Sequence, residues 1–266
     1  MKWLKLILLA GLILYLILTA IVYTLQRQFL YFPPSLYLTP QAVGLDGFEE
    51  ITLNTEAGDK VTAFWSPPAD ENDKVVMFFH GNGSAVFSNH DIYRDIADQG
   101  IGVLGVGYPG YPGSSGTPNQ PAIERASEIQ REFLIDKGIE PDRLVYFGTS
   151  LGSGVASQLA ENHPPALLIL DAPFNSILDM GRRQLPFLPV KLLMKDQYRS
   201  DEAIKNLNVP MIWTHGTADK VVPITQGQKL YDGYNGPKSA HIIEGGQHTN
   251  LWGLGGKTIV LNALQN

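Results

Sequence analysis

With 266 residues, 44% of them hydrophobic and 17% charged, the chain is long enough for one large domain or two small ones and too apolar to be disordered. A net charge of −6 with no notable Lys/Arg cluster argues against a nucleic-acid partner. The absence of cysteine excludes disulfides, thiolate metal sites and a cysteine nucleophile.

Leu6 to Leu25 carries no charge, and at 1.5 Å per residue such a run spans a hydrocarbon core of ~30 Å. A cleaved signal, a buried core helix and a membrane anchor compete for it. The run is longer than a usual signal core, and Leu18-Thr19-Ala20 lacks the small residue a cleavage site wants at its first position. It is apolar all round, unlike the amphipathic helix of a globular surface. Trp3 precedes it, and Tyr23, Phe29, Tyr31 and Phe32 lie at or beyond its end, where aromatic belts form. Residues 1–26 are therefore expected to be a single transmembrane anchor. Lys2, Lys5 and the amino terminus outweigh Arg27, which places the N-terminus in the cytoplasm and the rest of the chain on the periplasmic or lumenal side.

Residues 27–47, rich in proline and aromatics, read as a juxtamembrane linker. "EEITLNT" and "KVTAFWSP" then suggest antiparallel strands joined at Gly58-Asp59. "KVVMFFH" and "IGVLGV" are continuous apolar runs of the kind buried on both faces of a parallel sheet. Between them "NHDIYRDIADQG" has helical spacing at Ile92 and Ile96, and "PAIERASEIQREFLIDKG" is an amphipathic helix opened by Pro121 and closed by Gly138. "RLVYFG", "ALLILD", "PMIWTHG" and "SAHIIEGG" read as further strands, "SLGSGVASQLAEN", "ITQGQKLYDGY" and the C-terminus as helices. Such alternation predicts an α/β domain over 48–266, a mostly parallel sheet flanked by helices. Residues 172–208 contain no strand pattern and are expected to form a small helical cap.

Function in a parallel sheet collects at the carboxyl ends of its strands. There the chain places His80-Gly81-Asn82-Gly83, Gly148-Thr149-Ser150-Leu151-Gly152, Asp171, His215 to Asp219, and Gly245 to His248. A serine between two glycines, just where strand becomes helix, has the pattern of a nucleophile elbow. The tight turn lifts the hydroxyl clear of the sheet, and the helix aims its first N–H groups at a developing oxyanion.

Ser150 is thus the candidate nucleophile. Asp219, in a flexible turn, is preferred to Asp171 as the acid. His248 is the candidate base, because it follows both in sequence and occupies the loop after the last strand. His80 and His215, each before a glycine, are expected to buttress loops; His90 and His163 read as surface residues, and His241 lies within a strand. The backbone N–H groups of Leu151 and Asn82 are candidate oxyanion donors, with Gly81 or Gly83 as alternatives to Asn82. Phe174, Phe187 and Leu188, with Leu192, Leu193 and Met194, are either an acyl groove or ordinary core. Gly105 to Gly110 fits G-x-G-x-x-G, but no helix opens after it, so a nucleotide site is not expected. Asn82-Gly83-Ser84 matches a glycosylation acceptor by coincidence.

"FFHGNGS", "GYPGYPGSSG", "VYFGTSLGSGVA", "DAPFNSI", "PMIWTHGTADKVVP" and "EGGQHTN" together resemble the α/β-hydrolases. The resemblance runs from Phe48 to Asn266 and is narrower to membrane-anchored serine hydrolases with a small cap. It departs from their pattern at Pro109, where an arginine is usual, and at Gly107, where an aspartate is. It implies an α/β-hydrolase fold, cleavage of carboxylesters, thioesters or acylated lipids and proteins, and neither cofactor nor metal. A peptidase or amidase using the same three residues, or a non-catalytic membrane partner on this fold, are the alternatives.

Overall fold

The apolar runs form the centre of an eight-stranded sheet among the described residues, which are 1–265 of this computed structural model. Asn266, the last residue of the expected 48–266 domain, lies outside the described residues. The strands are β1 (Glu49–Asn54), β2 (Lys60–Ser66), β3 (Val75–Phe79), β4 (Gly102–Val106), β5 (Leu144–Thr149), β6 (Leu167–Asp171), β7 (Met211–Gly216) and β8 (Lys238–Ile243). Their spatial order is β1-β2-β4-β3-β5-β6-β7-β8. β1 and β2 form a hairpin with Asn54 opposite Lys60 and a left-handed Gly58 in its turn. β2 runs antiparallel to β4, and every later neighbour pair is parallel.

The helices, in chain order, are α1 (Lys2–Leu25), α2 (His90–Ala97), α3 (Gln120–Asp136), α4 (Leu151–Asn162), α5 (Ile177–Gln184), α6 (Val190–Leu193), α7 (Ser200–Ala203), α8 (Ile224–Gly233) and α9 (Lys257–Gln265). Side chains alternate across the sheet with period two. Val75, Met77 and Phe79 of β3 enter a core closed by α3, α4 and α8, and Val76 and Phe78 enter one closed by α2 and α9. Burial on both faces explains why these strands read as unbroken apolar runs. α3 begins one residue before Pro121, where the Asn119 side chain accepts the N–H of Ala122, and the chain leaves it through a left-handed Gly138.

Between β6 and β7, α5, α6 and α7 form a small layer over the carboxyl ends of the strands. Leu178, Leu188 and Val190 make its centre, with Leu185, Met194 and Val22 of α1 packed against them. α1 itself has no buried residue and stays apolar on every side. Its 24 residues reach ~36 Å at 1.5 Å each, enough to cross a bilayer.

The stretch 27–47 is packed rather than a linker. Tyr31 is only 4% exposed and shares a 3.0 Å hydrogen bond with the Tyr198 hydroxyl, while Leu45 is buried beside Phe48. Arg27 donates to both carboxylate oxygens of Asp196, from Nε at 2.8 Å and Nη2 at 3.1 Å, and Asp196 is 3% exposed. Aromatic surface and a buried counter-charge tie this segment to the cap, a pairing that composition cannot disclose. A chain starting at Phe32 is therefore expected to be less stable than one starting at Gln26 by on the order of 3 kcal/mol, because it leaves a buried carboxylate without its partner. Urea unfolding of the two chains measures the difference, and equal midpoints would contradict it.

Candidate active site

β5 ends at Thr149 and α4 begins at Leu151, so Ser150 alone makes the turn, with φ 52° and ψ −119°. A non-glycine residue in that region is strained. The hold on it comes from both sides. The Ser150 N–H donates to the carbonyl of Asp171 at 2.9 Å, and the glycines flanking the serine let strand and helix close on each other. A Cβ at Gly152 would fall 1.9 Å from the Phe79 carbonyl oxygen, and one at Gly148 would fall 2.3 Å from the Gly152 oxygen. The two glycines are required by backbone contact, and the strained serine follows from that contact.

The hydroxyl so raised meets the loop after β8. His248 Nε2 lies 2.9 Å from Ser150 Oγ, and its Nδ1 lies 2.7 Å from Asp219 Oδ2. Asp219 is fully buried, and its Oδ1 accepts the N–H groups of Val221 at 2.8 Å and Val222 at 2.9 Å. Burial by itself would raise this carboxyl. Hydrogen bonds from His215 and His248 and the N–H of Val221 outweigh it and hold Asp219 well below the usual carboxylate range. An ionised Asp219 only accepts, so His248 carries its proton on Nδ1 and presents a bare Nε2 to the serine hydroxyl.

Ser150 opens into a cavity of about 370 Å³ that Leu151 and Asn82 also line. The Asn82 loop is pinned there: its side-chain amide donates to the Leu30 carbonyl, and its own carbonyl accepts the Phe32 N–H and the Tyr111 hydroxyl. Of the apolar candidates, Phe174, Leu188, Leu193 and Met194 line the cavity. Phe187 does not. It is 66% exposed and sits against α1, where its carbonyl accepts the Tyr15 hydroxyl. Leu192 also points away. Sequence reasoning missed the wall given by Val22, Tyr23, Gln26, Arg27, Phe29 and Leu30. The aromatic and apolar character of Val22, Tyr23, Phe29 and Leu30 fits a membrane boundary equally well, and nothing local marks Gln26 or Arg27.

No protein-family model matches the chain. It is 27% identical over 92% of its length to the α/β-hydrolase domain-containing protein WAV2 of Arabidopsis thaliana, covering 88% of that protein. It is 30% identical over 66% of its length to the lysophosphatidylserine lipase ABHD12 of Danio rerio, of which it spans about half (51%). The structure resembles an esterase of Pyrococcus furiosus, Pf2001, with a TM-score of 0.71 over 89% of this chain and 97% of that one, at 18% identity. The chain has the α/β-hydrolase fold.

In this fold the other strand-end residues have structural partners. His80 is buried, its Nδ1–H donates to the Gly81 carbonyl at 2.8 Å, and its ring lies 4.0 Å from that of Tyr108. Burial lowers it to about 4, so it is neutral near pH 7. His215 stands behind the acid. Its Nδ1 accepts from the Trp213 indole at 3.2 Å, so Nε2 carries the proton, 3.0 Å from the Val222 carbonyl and 3.4 Å from Asp219 Oδ2. The dipeptide His-Gly gave no hint of that contact.

The G-x-G-x-x-G glycines serve packing. A Cβ at Gly105 would strike the Tyr93 ring and one at Gly107 would lie 1.9 Å from the Thr62 carbonyl oxygen, while Gly110 is left-handed. The space at Gly107 excludes any side chain. The next helix, α3, starts only at Gln120. Among the described residues no three His, Asp or Glu side chains are grouped to hold a metal ion.

Asp171, the alternative acid, takes the Thr214 hydroxyl as donor. Burial raises it to about 6, with Thr214 and the nearby histidines opposing. The folded chain thus keeps this proton to about pH 6, whereas the unfolded chain releases it near 3.8. Its contribution to stability falls as pH rises through that window; the Asp219 contribution has the opposite sign and fades only as pH falls below the ordinary carboxylate value. Asp171→Asn is expected to flatten the slope between pH 4 and 6 and to add on the order of 2 kcal/mol at pH 7. Urea unfolding across that range checks it, and an unchanged slope would sink the assignment.

Proposed function

We propose that the protein is a membrane-tethered serine hydrolase that cleaves acyl esters or thioesters. The observation that carries this is the hydrogen-bonded line from Ser150 through His248 to Asp219, at the floor of a cavity walled by Phe29, Leu30, Phe174, Met180 and Leu188. His248 Nε2 takes the Ser150 proton as Oγ bonds to the acyl carbon, and the N–H groups of Leu151 and Asn82 receive the oxyanion. The imidazolium, steadied by Asp219, returns the proton to the leaving oxygen or sulfur as its bond to carbon breaks. Water, losing a proton to His248, then attacks the acyl-serine and releases the acid.

The names of one relative, a lysophosphatidylserine lipase, and of one structural neighbour, an esterase, support an ester substrate. The length and uniform apolarity of α1 support a bilayer anchor, and Lys2 and Lys5 before its core favour an N-terminus on the cytoplasmic side.

The test is turnover of p-nitrophenyl esters from C2 to C16, with the two candidate acids compared. Asp219→Asn is expected to lower kcat by about 10⁴-fold, since the imidazole loses its orienting charge. Asp171→Asn is expected to stay within about tenfold of wild type, because Asp171 bonds Thr214 and not His248. The reverse ranking would move the acid to Asp171; silence across the whole series in folded protein would reject the ester reading and favour an amide substrate.

A further inference from the structure

We infer that the cap is itself sunk in the bilayer and that the cavity is loaded sideways, by the acyl chain of a membrane-resident ester entering between α1 and the cap; this rests on the hydrolase reading above. Two hollows meet there. A recess of about 210 Å³ lies between Gly11, Leu14, Tyr15 and Leu18 of α1 and Phe187 of the cap. It shares Val22 and Leu188 with the cavity that holds Ser150. The two hollows therefore adjoin at Val22 and Leu188, between the middle of the anchor helix and the nucleophile.

Depth follows from helix geometry. Tyr15, bonded to the Phe187 carbonyl, precedes Leu25 at the end of α1 by ten residues, or ~15 Å of helix axis. If α1 fills a hydrocarbon layer of ~30 Å, the cap loop at Phe187 lies near its midplane. Its polar neighbours sit higher, where headgroups begin. Gln26 exchanges hydrogen bonds with the Leu193 carbonyl and the Lys195 N–H, and the Lys195 ammonium lies 4.1 Å from the centre of the Tyr23 ring.

The surface chemistry agrees. Phe187 and Leu192 are 66% and 83% exposed, a poor choice for a face in water. Between Ile177 and Lys195 the cap carries Arg182, Arg183, Lys191 and Lys195 against one acid, Asp179, in a chain whose net charge is −6. A local basic belt around exposed apolar side chains fits lipid phosphates above an inserted tip.

The full chain in vesicles of phosphatidylcholine and phosphatidylglycerol would be given two substrates, a long-chain acyl ester within the bilayer and p-nitrophenyl acetate in water. Leu192→Asp, at a position outside both hollows, is expected to cut turnover of the bilayer ester about tenfold or more. Turnover of p-nitrophenyl acetate should stay within about twofold of wild type. Unchanged turnover of the bilayer ester would overturn the lateral route. Wild-type silence on both substrates would instead reject the hydrolase.

A second measurement does not depend on catalysis. The chain has no cysteine, so Leu192→Cys takes one environment-sensitive fluorophore. Blue-shifted emission quenched by brominated lipid is expected, and emission as in water would overturn the insertion whatever the activity of Leu192→Asp.

Discussion

Ser150→Ala is expected to lower ester turnover by about 10⁵- to 10⁶-fold and to abolish labelling by a fluorophosphonate probe. The residual rate would come from binding and the N–H groups of Leu151 and Asn82, which the substitution leaves in place. Among the described residues Ser150 is the one hydroxyl bonded to His248 Nε2, so its loss leaves the base without a nucleophile to activate. Labelling that survived would transfer the role to another residue. A companion variant separates strain from chemistry. Ser150→Gly should be equally inactive yet more stable by about 1 kcal/mol, because glycine adopts a positive φ without clash. Alanine keeps the Cβ and hence the strain, so a gain for glycine alone, seen in urea midpoints, would show that the elbow costs the fold what it contributes to the site.

Gly152→Ala is expected to be the most damaging single-methyl addition in the domain, costing more than about 4 kcal/mol or preventing folding. Its Cβ would sit 1.9 Å from the Phe79 carbonyl oxygen and 2.8 Å from that of His80, both backbone atoms of the strand and loop beside the nucleophile. No rotamer avoids a Cβ, so α4 would have to leave β3, and Ser150 would move with it. Gly233→Ala, at the end of α8 with nothing within 4 Å, is the control and should be neutral or slightly stabilising. Comparable thermal midpoints for the two variants would mean that the close approach of α4 to β3 is not a determinant of the fold.

The central sheet was legible because strands buried on both faces must be apolar throughout, as β3 and β4 are. Ser150, Asp219 and His248 were legible as positions after strands, and the structure joins them by hydrogen bonds. Side-chain reach was not legible. Phe187 and Leu188 are adjacent in sequence, yet one lies against α1 and the other lines the cavity. Nor was the packing of 27–47, since Arg27 and Asp196 are 169 residues apart and neither alone announces a partner. Local pattern reports periodicity and backbone demand; the wall of a cavity is a long-range property. The G-x-G-x-x-G stretch shows the same limit from the other side, a strong local pattern whose glycines answer to Tyr93 and Thr62.

The clasp between Arg27 and Asp196 also bears on the order in which the chain is made. Arg27 is made 169 residues ahead of its counter-charge Asp196, and Ser150 is made 98 residues ahead of His248. For much of synthesis the nascent protein thus presents Arg27 with no carboxylate beside it, and then Ser150 with no base beside it. On the proposed function, activity therefore awaits the closing of the loop after β8, and a chain terminated before His248 is expected to be inert.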